Sequence, residues 1–319
     1  MKSTPILFYS DSPDLHTGLG RITKDLAILT CSLPDFRVAT YGRCGRGSSK
    51  LPFAQYNYGI QEQWGEERLG EVWNDFAGAE TGIIFTIMDP SRITWFSTPR
   101  MGGPLQRFLQ SGRFKRWGYF PVDAPGVGGR LTAQCAHAVH AYDRVLAYTL
   151  YGQQILENTI GRPVDWLPHG YGSHIFQPRD KAAGRAILKI GEEDTVIGMV
   201  GTNQARKEWG IAFESIAILR TEIPNLKFWA HVDTLERYWS IPRLVEDFDL
   251  ADVARVTITG DFNSEQLSYM YSTCDVTMLA SSEGFGYPLV ESMACGVPVV
   301  HGDFGGGAEL IPDRNWLAQ

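Results

Sequence analysis

The chain has 319 residues, 44% hydrophobic and 20% charged, with a net charge of −7. That composition supports a buried core and excludes intrinsic disorder as the main state, and the length suits two domains of about 100–200 residues each. No run approaches the roughly 20 apolar residues needed to span a bilayer. The five cysteines (Cys31, Cys44, Cys135, Cys274, Cys295) show no metal-type or redox-type pairing and read as reduced thiols.

The opening apolar stretch ILFY is too short for a signal peptide, and Asp11 soon follows. The expected location is cytoplasmic. ILFYS is a short buried-strand pattern that runs into DSPDLHTGLGR, a loop with Gly18 and Gly20. Next comes helical spacing of Ile22, Leu26, Leu29 and Leu33. A strand, a glycine loop and a helix in that order open a nucleotide-binding α/β sheet. TGIIFTIMD and YDRVLAYT are further strands, with helix-length segments such as LTAQCAHAVHAY between them. The glycines and prolines of LPHGYGSHIFQPRD make a linker. The alternation then resumes with strands TVIGMVG, KFWAHVD, RVTITGD, DVTMLAS and GVPVVHG. Helices are expected at ARKEWGIAFESIAILRTEI, with Ile211, Ile216 and Ile218 apolar, and at SEQLSYMYST. The expected domains are 1–170 and 171–319, both Rossmann-like. Residues 1–165 carry a net charge of +2 and residues 166–319 carry −9. Such asymmetry points to a local anionic partner rather than a global one.

The most informative stretch is SSEGFGYPLVESMACGVPVV, residues 281–300. Gly284, Gly286 and Pro288 interrupt any helix between Glu283 and Glu291. Pro288 suits a helix's first turn and Gly296 its end. Glu283 is therefore expected on a loop at a strand's carboxyl edge and Glu291 early in the next helix. Two carboxylates, which accept from sugar hydroxyls, then share a crevice with a helix N-terminus, which favours phosphate. In VGTNQARKEWG, Arg206 and Lys207 are expected to begin a helix just after a strand, where cations and amide N–H groups converge on phosphate.

This stretch resembles the E-x7-E motif of retaining GT-B glycosyltransferases of the family-four group. DSPDLHTGLGR and NQARK resemble a virus-associated branch written DSPxxxTGxGR and NQxRK. The resemblance implies an α/β GT-B fold, two Rossmann-like domains facing a cleft, 1–170 acceptor-binding and 171–319 nucleotide-sugar-binding, with the C-terminal part short or truncated. It implies a retaining, nucleotide-sugar-dependent glycosyltransferase whose donor is a UDP-sugar, with no other cofactor and no metal. In the family the first Glu, here Glu283, contacts the donor sugar and the second, Glu291, the ribose. Arg206 and Lys207 with Gly201 and Asn203 would hold the diphosphate, Gly260 and Asp261 line the base, and Phe285 and Gly286 line the donor. Gly18 and Gly20 would approach the leaving phosphate. Asp123 is a candidate catalytic residue, although Val122 stands before it where relatives commonly have a His. Gly172 likewise replaces an acid in the linker. The implied mechanism is front-side substitution, in which the departing diphosphate helps take the acceptor's proton.

The span between Asp89 and Asp123 contains no acid, yet holds Arg92, Arg100, Arg107, Arg113, Lys115 and Arg116 among seven aromatics. Residues 36–61 are also acid-free and carry Arg37, Arg43, Arg46 and Lys50. Basic groups mixed with aromatics suit a polyanion, so His16, Arg113, Lys115, Arg116 and Trp117 are candidate acceptor contacts. The acceptor expected on this basis is a hydroxymethylated DNA base, with a lipid-linked or polysaccharide acceptor as the alternative. A GT-B epimerase or phosphorylase, or a non-catalytic nucleotide-sugar binder, are the other classes. His137 and His140 lack a third metal ligand, Asp247 and Asp249 read as a solvated face, and Cys274 and Cys295 as core.

Overall fold

The computed structural model describes residues 3–47, 50–96 and 103–318, leaving Arg100 of the first basic span outside the described residues. The chain divides into two compact units, Met1–His169 and Gly170–Gln319. In the first unit, β1 (Thr4–Asp11) leads to α1 (Gly18–Cys31), β2 (Phe36–Arg43), β3 (Ala54–Tyr58) and α2 (Leu69–Ala77). β4 (Gly82–Ile87), α3 (Pro104–Leu109), β5 (Phe114–Phe120) and α4 (Ala133–His140) follow, then β6 (Arg144–Ala147), α5 (Leu150–Ile160) and β7 (Asp165–Trp166). All strands are parallel, in the order β3-β2-β1-β4-β5-β6-β7.

The second unit runs α6 (Lys181–Leu188), β8 (Thr195–Gly201), α7 (Trp209–Leu219), β9 (Leu226–Val232), α8 (Ile241–Asp247) and β10 (Ala254–Ile258). It ends with α9 (Ser264–Thr273), β11 (Val276–Leu279), α10 (Tyr287–Ala294), β12 (Val299–Gly302) and β13 (Leu317–Ala318). Its sheet is also parallel, ordered β10-β9-β8-β11-β12-β13. Both sheets thus grow outward from a first strand and then reverse, as doubly wound folds do. Ligands bind such sheets outside the carboxyl ends of the strands flanking the reversal. Those strands are β1 and β4 in the first unit, and β8 and β11 in the second.

Burial on both faces makes these strands near-continuous apolar runs. Adjacent residues of β9 show it: Phe228 joins one core cluster with Trp209 and Phe213, and Trp229 joins the other with Phe176 and Tyr271. The packing face of α1 differs from the expected Ile22, Leu26, Leu29 and Leu33. Ile22 is buried as expected, together with Gly20, Thr23 and Ala27, whereas Leu29 and Leu33, the latter beyond the helix, are 65% and 49% exposed. Small residues bring this helix close to the sheet. In α7, Ile216 is buried as expected, but Ile211 and Ile218 face solvent.

Much of the two acid-free spans is strand and helix scaffold. Residues 36–61 supply β2 and β3, and residues 104–120 supply α3 and β5. Phe108, Phe114, Tyr119 and Phe120 are buried in the first unit. No helix among the described residues is long and apolar enough to cross a membrane.

Candidate active site

The carboxyl ends of β8 and β11 carry the residues singled out in the C-terminal unit. After β8 the chain makes a 3-10 turn, Ala205–Lys207, and α7 begins only at Trp209. Arg206 and Lys207 therefore sit on a tight turn before the helix, not in its first turn as expected. Glu208 between them and the helix has left-handed backbone, φ 51° and ψ 43°. A non-glycine residue there is uncommon and costs roughly 1–3 kcal/mol, which the surrounding structure must hold.

That turn delivers both cations to Glu283. The Lys207 ammonium donates to Glu283 Oε1, and Arg206 Nη1 donates to Glu283 Oε2 at 3.2 Å and to the Ser282 carbonyl at 2.9 Å. The Ser281 hydroxyl donates to Glu283 Oε1 as well. Lys207 and Glu283 are both buried, whereas the Arg206 side chain is 39% exposed. Burial raises the Glu283 pKa, but Lys207 and then Arg206 outweigh it, so the carboxyl titrates below its ordinary value of 4.5. The stability this pair supplies is therefore complete above pH 4.5 and is lost as pH falls through the depressed value. Between pH 5 and pH 3, Glu283→Gln is expected to show a shallower fall in denaturation midpoint than the parent. Parallel curves would contradict the ion pair.

Glu283 lies on the loop expected for it, and Glu291 is in α10, which starts at Tyr287 after Gly286 with φ 95°. Glu291 is buried and accepts from the Tyr271 hydroxyl at 2.9 Å. Phe285 is buried between them in sequence, with Tyr287 against its ring. The glycine run folds back onto the same loop: Gly306 N–H donates to the Glu283 carbonyl at 2.9 Å. Gly305, at φ +74°, leaves no room for a Cβ, which would lie 2.7 Å from Ser282 Oγ. His301 beneath the run uses Nδ1 on the Leu279 carbonyl at 2.7 Å.

Asn203 is committed to the protein. Its amide nitrogen donates to the Trp239 and Thr234 carbonyls at 2.7 and 3.0 Å, and its oxygen accepts from Trp239 N–H at 2.9 Å. It fastens loop 233–240 over the cation turn, where Trp239 Nε1 reaches the Gln204 carbonyl. Gly201 has the Lys207 stem nearby. Gly260 lies in the turn after β10 at φ +106°, and Asp261 accepts from Ile258 N–H at 2.7 Å, so its carboxylate shapes that turn.

In the N-terminal unit, Gly18 and Gly20 lie within the first turn of α1 rather than in a preceding loop. Thr17 caps the helix by accepting from Gly20 N–H, and a Cβ at Gly20 would meet the Ser12 and Leu15 carbonyls at 2.7 and 2.8 Å. His16 is exposed just before that cap, and Asp123 lies in the loop beyond β5. Both are at carboxyl strand ends. The other acceptor candidates are not: Arg113 precedes β5, Lys115 and Arg116 open it at the sheet's amino edge, and Trp117 is its middle residue. Arg116 spends its guanidinium on the Ala141 and Leu109 carbonyls, and Arg113 on Asn74 Oδ1 and the Gly78 carbonyl. Trp117 stacks under Arg144. Arg113 and Arg116 are thus engaged within the fold rather than held free for an acceptor, while the Lys115 side chain is 72% exposed and 4.0 Å from Asp143.

Sequence reasoning missed Ser281, Tyr271 and Trp239. Ser281 stands two residues before Glu283 at a strand end, a signal that was available. Nothing in the sequence links Tyr271 to Glu291, because they meet only when α9 and α10 pack.

Residues 180–318 match the family model for glycosyl transferases group 1. The chain is 27% identical to the D-inositol 3-phosphate glycosyltransferase of Thermobispora bispora, over 67% of this chain and 53% of that one. It is 27% identical to the protein of the same name from Mycolicibacterium smegmatis, over 70% and 52%. The chain thus spans about half the length of the curated relatives it matches. Among solved structures, sucrose-phosphate synthase of Thermosynechococcus elongatus superposes with a TM-score of 0.72 at 18% identity, covering 95% of this chain and 82% of that one. Anabaena HepE in complex with UDP-glucose gives 0.71 at 16% identity, covering 97% and 83%. At these identities the likeness is one of fold: two parallel-sheet α/β units, as in GT-B structures.

Proposed function

We propose that the chain is a retaining glycosyltransferase that moves a sugar from a nucleotide-diphosphate sugar, a UDP-sugar, to an acceptor hydroxyl. The observation that carries this is the Arg206–Lys207–Glu283 cluster at the β8–β11 reversal, where a doubly wound sheet binds its ligand. The match of residues 180–318 to the glycosyl transferase model supports it, as does the HepE structure with UDP-glucose.

Arg206 and Lys207 hold the diphosphate, and Glu283 stands between them and the sugar, accepting from its hydroxyls. Glu291, anchored by Tyr271, takes the ribose. The acceptor oxygen bonds to the anomeric carbon on the face from which the diphosphate leaves. The carbon–oxygen bond to the diphosphate breaks, and the acceptor proton passes to the departing phosphate. The protein supplies fixed positive charge where negative charge develops, without a strong base.

The hydroxymethylated-base acceptor loses its support, since Arg113 and Arg116 are spent within the fold. The test incubates the full chain with a panel of nucleotide sugars and with polyol, saccharide, lipid and 5-hydroxymethylcytosine-duplex acceptors, read by mass spectrometry and by NMR at the new anomeric centre. Transfer with retained configuration is expected; inversion, or donor consumed only with inorganic phosphate, would refute the reading. Transfer is expected to persist in EDTA, because the two cations do the charge work of a metal. Loss in EDTA restored by manganese would overturn that.

A further inference from the structure

The reversal point of the N-terminal unit has an arrangement the donor reading does not use. Arg43 ends β2 and is the register partner of Asp11, which ends β1. Arg92 lies in the turn after β4, on the other side of β1. Both guanidiniums stack on one indole, that of Trp64, at 4.9 and 5.1 Å from its ring centroid. Trp64 is itself pinned from below: the Tyr9 hydroxyl donates to the Trp64 carbonyl and the Tyr41 hydroxyl to the Gly65 carbonyl at 2.7 Å.

Neither guanidinium donates a hydrogen bond to another described residue. Arg43 Nε is buried without a partner. Arg92 approaches Asp11 and Asp89 only at 3.8 and 3.6 Å, beyond hydrogen-bonding distance. The contrast with Arg113, Arg116 and Arg206, which all donate to protein oxygens, is the informative point. Two aromatic-held forks with unspent donors, at the edge where such sheets bind ligands, are a receptor for an anion. The neighbouring loops are tied together. Asp14 Oδ2 accepts from Arg46 and Gly47 N–H at 2.9 and 3.1 Å, joining the loop after β2 to the one that leads into α1. The 14-residue α1 therefore begins beside the same cluster, and its N-terminus adds to the attraction.

We propose that Arg43 and Arg92 bind the phosphate monoester of a phosphorylated sugar or polyol acceptor, with Trp64 holding both guanidiniums in position. A phosphate monoester presents three strong acceptor oxygens, enough for both guanidinium forks, whereas one carboxylate would leave a fork unpaired. The inference rests on the reading of the chain as a glycosyltransferase, and it names the acceptor class.

Calorimetric titrations of the full chain, made in saturating UDP so that donor-site cations are occupied, test it. The probes are D-inositol 3-phosphate, glucose 6-phosphate, inorganic phosphate, unphosphorylated inositol and plain duplex DNA. At least one phosphate ester is expected to bind, and unphosphorylated inositol at least tenfold more weakly. Arg43→Gln and Arg92→Gln should each weaken the ester at least tenfold and leave UDP affinity within twofold, which also certifies a folded variant. Arg43→Lys, which keeps charge but not the fork, should fall between. Equal binding of inositol and its phosphate, no ester binding, ester binding untouched by either Gln variant, or duplex DNA bound more tightly than the esters would overturn the proposal. Failure of UDP to bind the parent would instead strike the donor reading.

Discussion

Lys207→Ala is expected to damage both stability and turnover, and the two effects separate by design. The ammonium is buried against a buried Glu283. Its removal leaves an uncompensated carboxylate, which costs about 3–5 kcal/mol. The double variant Lys207→Met with Glu283→Gln removes both charges and should recover most of that loss in denaturant titration. It should not recover turnover. Arg206→Ala isolates the catalytic part, because that side chain is 39% exposed. Its stability should stay within about 1 kcal/mol of the parent, while turnover falls roughly 100- to 1000-fold for the lost charge stabilisation. Near-normal turnover in Arg206→Ala would remove the diphosphate assignment.

Asn203→Ala should have the next largest effect, although Asn203 is given no direct ligand contact. The side chain is fully buried and satisfies Trp239 N–H and the Thr234 and Trp239 carbonyls. Groups left unpaired in a buried site cost about 1–3 kcal/mol each. A loss of about 3 kcal/mol by chemical denaturation is expected, together with weaker donor binding as loop 233–240 releases the turn bearing Arg206 and Lys207. A loss below 1 kcal/mol, with donor binding intact, would mean that the loop holds itself.

These predictions show which parts of the site were legible beforehand. Glycine and proline punctuation set Glu283 on a loop and Glu291 in a helix, because proline fixes φ at a helix start and glycine readily takes the left-handed backbone found at Gly286. Alternating apolar runs placed the strands carrying the site. The left-handed Glu208 had no signal, since nothing in ARKEWG forces that conformation, and so the cations were expected inside a helix. The basic and aromatic span misled for a different reason. Composition does not say which edge of a parallel sheet a residue occupies, and Arg113–Arg116 fall at the amino edge, where the guanidiniums tie down strand and helix ends. Arg43 and Arg92 belonged to the same acid-free spans but lie at the carboxyl edge. Only topology separates the two groups.

The most direct measurement is a crystal structure of the full chain with UDP-glucose. The diphosphate should lie on Arg206 and Lys207 at the ends of β8 and β11, with the sugar at Glu283 and the ribose at Glu291. A nucleotide bound away from the β8–β11 reversal, or one leaving the Lys207–Glu283 pair untouched by phosphate or sugar, would contradict the assignment.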